Sequence, residues 1–106
     1  MNTVSRFKTG IERLHGFAEK AGRNPSDIAI TLRVLTGPGT RPRRSIGGEP
    51  EMFAGDEADW VADIRDLAEL GVSAVDVRLF GYGADQSLDG TIGNMRRFRD
   101  GVLSKI

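Results

Sequence analysis

The chain has 106 residues, with 15 basic and 15 acidic side chains, one histidine and no cysteine. This length suits one domain with its own core, so residues 1–106 are predicted to form a single domain. Balanced charge disfavours nucleic acid and anionic membranes as partners, and the absence of cysteine excludes disulfides and thiolate chemistry. No stretch has the apolar length of a signal peptide or a membrane span, which predicts a soluble, cytoplasmic protein.

The first predicted elements are a helix and a strand. Apolar residues between Val4 and Ala21 recur at steps of three and four, the helical period, and Gly22 is expected to end the helix in a left-handed conformation. Turn residues follow at 24–26. The sequence DIAITLRVLT, residues 27–36, then alternates and predicts a strand with one apolar face.

A long segment rich in glycine, proline and arginine comes next, over residues 37–54. Glycine and proline predict a loop here, with neither a helix nor a central strand. Its basic tract, formed by Arg41, Arg43 and Arg44, could meet a phosphate or an acidic partner. We prefer the interpretation of a solvated loop.

The second half of the chain repeats the helix and strand pattern. Asp56 is a predicted N-cap, Gly71 a predicted helix end, and residues 72–80 a predicted strand. Ser87 can cap a last helix whose apolar positions are Leu88, Ile92, Met95, Phe98 and Val102. The chain is therefore predicted to be of the α/β class, in the order helix, strand, helix, strand, helix, with two parallel strands.

Charged residues interrupt both strands on the face opposite the apolar one. In a parallel pair whose apolar faces meet the helices, Arg33, Asp76 and Arg78 share the other face. We predict that Arg33, Arg78 or both hold Asp76 in a structural ion pair, because an enclosed charge needs a partner. The functional alternative is a polar floor near a ligand.

Four glycines follow the predicted strands and are candidate cofactor-binding residues, since backbone amides after strands can cradle a phosphate: Gly37, Gly39, Gly81 and Gly83. No nucleotide-binding fingerprint accompanies them, so ordinary turn glycines are the preferred interpretation. No metal site is predicted, and His15 borders the apolar stripe of the first helix without a neighbouring catalytic partner.

Three passages carry a resemblance to a known family. They are EKAGRNPSDIAITLRV (residues 19–34), GDEADWVADIRDLAELGV (residues 55–72) and the helix end MRRFRDGVL (residues 95–103). In this order they resemble the C-terminal end of the luciferase-like monooxygenase family, over nearly the whole chain outside residues 37–52. Its members are (β/α)8 TIM barrels, so the resemblance implies a partial barrel, the C-terminal quarter with the last two strands.

The resemblance also implies a function. Family members are flavin- or deazaflavin-dependent oxidoreductases, so FMN or a deazaflavin is the implied cofactor. No catalytic residue is carried over, because the family's catalytic side chains come from earlier strands. We therefore expect the chain not to be catalytic on its own; the alternative is a non-catalytic, self-associating remnant or protein-interaction module.

Two parallel strands would leave two free edges and one uncovered face, which a stable fold must protect. The last helix could cross that face, or the missing barrel strands could come from another chain. We expect a homo-oligomer, most simply a dimer that restores a four-stranded sheet. Such a dimer would bury the small and apolar residues of the open face, Ala29, Leu35, Ala74 and Phe80.

Overall fold

The computed structural model describes residues 2–79, 82 and 87–106. It contains three α-helices and four strands in these residues: α1 (Val4–Lys20), β1 (Thr31–Val34), β2 (Ser45–Ile46), β3 (Glu49–Pro50), α2 (Glu57–Glu69), β4 (Ala74–Val77) and α3 (Leu88–Gly101). Short 3-10 turns occupy Pro25–Asp27 and Leu103–Lys105. The predicted α/β class and the predicted element order are confirmed.

The central sheet is a parallel pair of β1 and β4, and the described strands do not close into a barrel. Arg33 lies opposite Asp76 in the register. Both strands begin later than predicted, because the preceding turns include the first predicted strand residues, and both also end earlier than predicted. Asp27 belongs to a 3-10 turn, and the Val72 N–H donates to the Leu67 carbonyl at the end of α2.

The helix ends follow the predicted capping residues. The Asp56 carboxylate accepts from the Asp59 N–H and the Asp59 carboxylate accepts from the Asp56 N–H, a reciprocal capping box. Ser87 accepts from the Gly90 N–H at the start of α3. Gly22 and Gly71 follow α1 and α2 with φ of 75° and 88°, so both confirm the expected left-handed ends.

The core lies on one face of the sheet. Trp60 of α2 is fully buried and meets the ring of Phe53 edge-on at 5.0 Å and that of Phe98 at 6.0 Å. All three helices and the apolar face of β1 and β4 contribute to this cluster, which includes Phe7, Ile11, Val34, Leu67, Phe98 and Val102, with Leu32, Val75, Val77 and Leu79 packed against it. Because the helices share this side, the other face of the sheet has no cover in the described part of the chain.

The first half of α3 departs from prediction. Leu88, Ile92 and Met95 were expected in the buried stripe, yet 77%, 38% and 59% of their surfaces are exposed. Phe98 and Val102 do enter the core. Only the C-terminal half of the helix thus reaches the cluster, and the helix does not cover the open sheet face. None of the described helices is long and apolar enough to cross a membrane.

The long loop contains a small antiparallel hairpin that the sequence interpretation missed. Strands β2 and β3 pair across Gly47 and Gly48, whose φ angles are 60° and 85°. Two central residues with positive φ are typical of the hairpin turns that suit strand twist, and Gly-Gly is a known signal for them. The sequence SIGGEP therefore carried a signal for this hairpin.

Candidate functional site

A cavity of about 400 Å³ lies where both parallel strands end at their carboxyl side. The chain after β1, the start of α2, the segment after β4 and the end of α3 converge on it. Its lining is mostly polar or small: Pro38, Gly39, Asp56, Glu57, Ala58, Tyr82, Arg97, Gly101 and Lys105. The carboxyl ends of parallel strands are the usual place for ligands in α/β proteins, which makes this cavity the candidate site.

Tyr82 forms one wall of the cavity and is only 4% exposed. Its hydroxyl donates a hydrogen bond to the Glu57 carboxylate. Burial, followed by this contact with the carboxylate, raises the pKa of Tyr82 to about 12. At neutral pH the phenol is therefore protonated and acts as a hydrogen-bond donor rather than as a base.

Arg97 completes a three-residue arrangement with Tyr82 and Glu57. Its guanidinium lies 4.4 Å from the centre of the Tyr82 ring, and its Nε is 3.4 Å from Glu57 Oε1. Its Nη1 also donates to the Tyr82 carbonyl, at 3.3 Å. The guanidinium thus holds both the ring and the carboxylate in place.

Gly101 leaves room for the Glu57 carboxylate, since a Cβ built at Gly101 would overlap it. Lys105 is the remaining cation of the cavity, and it makes no ion pair within the described residues. Lys105 can therefore pair with an anionic group, whereas the Tyr82 hydroxyl and the Arg97 guanidinium are already engaged with Glu57.

The sequence interpretation missed Tyr82, Glu57 and Arg97 as site residues. Two signals were available. Tyr82 follows the second parallel strand, and Arg97 and Gly101 are four residues apart, so they share one face of the last helix. Glu57 gave no separate signal, because an acid in the first turn of a helix is ordinary.

The candidate glycines divide into two groups. A Cβ at Gly37 would lie 2.6 Å from Tyr82 Cβ, so this glycine permits a close approach of the two loops. Gly39 has φ of 74°, and its N–H already donates to the Gly55 carbonyl at 2.7 Å. Gly37 thus has a packing role and Gly39 a turn role, and Gly39 also lines the candidate cavity. Gly81 and Gly83 lie outside the described residues.

The charged residues of the sheet lie together on its open face. Arg33 Nε is 3.0 Å from Asp76 Oδ2, and 74% and 65% of the two side chains are exposed. Arg78 is exposed and makes no ion pair with any residue that the structure describes. The expected partner Arg33 is therefore present, but the pair faces solvent rather than an enclosed barrel interior.

The loop arginines are not simply solvated, contrary to the preferred interpretation. Arg43 donates two hydrogen bonds of 2.8 Å to Asp63, a buried carboxylate that also accepts from the Phe53 N–H at 2.8 Å. The hydrogen bond and the charge of Asp63 raise the pKa of Arg43. This bidentate pair fastens the loop to α2, so Arg43 has a structural partner within the chain.

A second carboxylate binds the other two loop arginines. Glu51, which is 2% exposed, binds Arg41 Nη1 at 2.8 Å and Arg44 Nε at 3.1 Å. The Arg44 hydrogen bond is the main cause that lowers the pKa of Glu51. We call Arg41, Arg43, Arg44, Glu51 and Asp63 the arginine cluster. Glu51 and Asp63 are thus acidic partners of the loop arginines within the chain itself.

Within residues 2–79, 82 and 87–106, no group of three or more metal-ligating side chains could hold an ion. Comparisons of the chain with protein-family models, with curated proteins and with solved structures find no match.

Proposed function

We propose that the chain is a C-terminal barrel segment of a luciferase-like oxidoreductase or monooxygenase that uses FMN or a deazaflavin in the cytoplasm. In this proposal it supplies two strands and one end of a cofactor pocket. Other strands, from a partner chain or further copies, supply the catalytic side chains. The proposal rests on the resemblance of residues 19–34 and 55–72. The structural observation that best supports it is the cavity at the carboxyl ends of the parallel strands.

The chemistry of the cavity suits one part of such a cofactor. Both flavin mononucleotide and phosphorylated deazaflavins carry an anionic phosphate. Lys105 is a cation without an ionic partner among the described residues, and Glu57 and Ala58 at the start of α2 also line the cavity. The ammonium group of Lys105 is the feature that favours phosphate, and it must outweigh the carboxylates of Asp56 and Glu57, which also line the cavity. Tyr82 and Arg97 would support this wall rather than react.

Cofactor titration of the isolated chain tests the proposal. We expect saturable quenching of FMN or deazaflavin fluorescence, with no turnover of reductant. Lys105→Ala should weaken this binding, whereas Lys20→Ala, an exposed lysine at the end of α1, should leave it unchanged. Absence of quenching by both cofactors up to about 1 mM, the limit of weak specific binding, would contradict the proposal.

A second candidate function is a non-catalytic, self-associating module. The observation that favours it is the open sheet face, on which Leu35 is 59% exposed, together with two strand edges that have no partner strand in the described residues. Under this alternative the chain would associate with itself and bind neither cofactor. The same titration, performed beside a measurement of molecular mass, separates the two functions.

A further inference from the structure

Strand β4 has one unpaired edge. It pairs with β1 alone among the described strands, so the backbone N–H and C=O groups of its other edge have no strand partner in the described residues. The ladder continues past its end, since the Arg78 N–H donates to the Val34 carbonyl at 2.8 Å. Such an edge is a ready template for another strand.

An apolar groove of about 430 Å³ adjoins this strand on its core side. Residues of α2, β4, α3 and the C-terminal turn line it, among them Ile64, Val75, Val77, Leu103 and Ile106. Leu103 and Ile106 are 51% and 53% exposed. The edge and the groove together form one surface that combines backbone pairing with apolar burial.

The side chains of β4 identify the partner. In a continuous antiparallel sheet, residues directly opposite each other lie on the same face. If a two-fold axis relates two copies of β4, this condition requires the axis to pass beside one residue, which then lies opposite its own copy. Centring on Val77 places Asp76 of each copy opposite Arg78 of the other, on the open face. The same register places Val75 opposite Leu79 on the groove side.

Other registers are worse. Centring on Asp76 opposes two carboxylates, and centring on Arg78 opposes two guanidinium groups, both of which are destabilising. Centring on Val75 leaves Asp76 opposite Ala74. We therefore propose that two copies of this chain pair antiparallel through β4, with the two-fold axis at Val77 and reciprocal Asp76 to Arg78 ion pairs. This proposal needs only the strand edge and does not rest on the flavin assignment.

Charge substitutions test both the partner and the register. Asp76→Arg gives a chain with arginine at positions 76 and 78, and Arg78→Asp gives a chain with aspartate at both. Each variant alone would place like charges opposite, so we expect its dimer dissociation constant to rise by about tenfold or more. In a mixture of the two variants, position 76 of each chain again faces an opposite charge at position 78 of the other, so the mixture should form a heterodimer.

The readout is sedimentation velocity of the full chain over the micromolar range, with circular dichroism to verify that each variant folds. Both substituted positions are exposed, and the Arg33–Asp76 pair that Asp76→Arg removes is itself solvent-exposed, so the fold should persist. The proposal would be overturned by a wild-type chain that stays monomeric at about 100 μM, well above the dissociation constants of specific dimers. It would also be overturned by variants that dimerise like the wild type, or by a mixture that does not associate.

Cross-linking checks the axis independently. The chain has no cysteine, so Val77→Cys introduces a single thiol that lies opposite its own copy, within reach of a disulfide after a small shift. Ala74→Cys is the matched control, because position 74 lies about 20 Å from its own copy in this register. We expect oxidised dimers from Val77→Cys only. Equal cross-linking of both variants, or of neither, would exclude the register.

Discussion

Two groups of arginine–carboxylate pairs in this chain lie in opposite environments. In the arginine cluster, Asp63 is 1% exposed, and it receives two hydrogen bonds from Arg43 and one from the Phe53 backbone. On the open sheet face, Arg33 and Asp76 are 74% and 65% exposed and share one hydrogen bond. The sequence interpretation expected the reverse, with the strand pair enclosed and the loop arginines solvated.

The difference shows that burial depends on how many elements surround a pair rather than on the element that carries it. Asp63 lies on α2, beneath a loop that folds back over it with its own hairpin. Asp76 lies on a strand, but the sheet has only two strands and no cover on that face. Removal of one partner from a buried ion pair leaves an uncompensated charge away from water, whereas an exposed charge is solvated again. The two groups should therefore respond differently to substitution.

Removal of the buried carboxylate should have the largest effect. Asp63→Ala leaves the Arg43 guanidinium and the Phe53 N–H without their acceptor, so we expect the free energy of unfolding to fall by about 3 kcal/mol. Urea denaturation at fixed protein concentration, followed by the fluorescence of the single tryptophan Trp60, measures it. Glu69→Ala, an exposed acid on the same helix, is the control and should change stability little. Equal losses in both variants would contradict the comparison.

The ionisation of Tyr82 should report the burial of its side chain in the wall of the candidate cavity. Tyr82 is the only tyrosine, so ultraviolet absorbance reports its ionisation alone. Because its folded pKa is about 12 and its ordinary value is 10.0, its stabilising contribution is complete below pH 10.0 and is lost as pH rises through about 12. Glu57→Gln removes the carboxylate contribution and should lower the midpoint. A midpoint of 10.0 in the folded wild-type chain would contradict the described burial.

Because of Glu51, the stability that the arginine cluster contributes should depend on pH in the acid range. Its pKa is lowered from the ordinary 4.5, mainly by Arg44. Its stabilising contribution is therefore present above about pH 4.5 and is lost as pH falls through the lower folded value. In Glu51→Gln, the decline of stability with falling pH should be shallower than in the wild type. Identical pH profiles from urea denaturation would show that the carboxylate is not held by the arginines.

The exposed strand pair should have the smallest effect. Arg33→Gln removes one partner of a solvated ion pair, so we expect the free energy of unfolding to change by at most about 0.5 kcal/mol. The same urea measurement applies, and added salt should further reduce the difference. A loss comparable to that of Asp63→Ala would mean that the open face is covered in solution, and would remove the contrast between the two groups.

Local signals in the sequence predicted most of the elements. Asp56, Ser87, Gly22 and Gly71 mark helix ends because capping depends on residues within one turn of each other. The alternation in residues 27–36 and 72–80 predicted the faces of both parallel strands for the same reason. The exposed first half of α3 was not predictable in this way, because its periodicity is helical whether or not a neighbour covers it.

The candidate site was predicted only in part. The sequence pointed to the loops after the strands, where the cavity lies, but selected glycines rather than Tyr82, Glu57 and Arg97. Tyr82 lies 25 positions from Glu57 and 15 positions from Arg97 along the chain, so no local pattern links the three residues. Their association depends on the strand ends and on α3 meeting at one edge of the sheet.

By itself, the sequence determined the α/β class, the order of the elements and the residues that begin and end the helices, because these depend on short-range periodicity and capping. Only the tertiary structure decided which charges are buried, which half of α3 is covered and which side chains share the cavity. Those properties depend on contacts between residues distant in the chain. Asp63 and Asp76 have the same side chain, and the elements packed around them make one a buried anchor and the other a solvent-exposed partner.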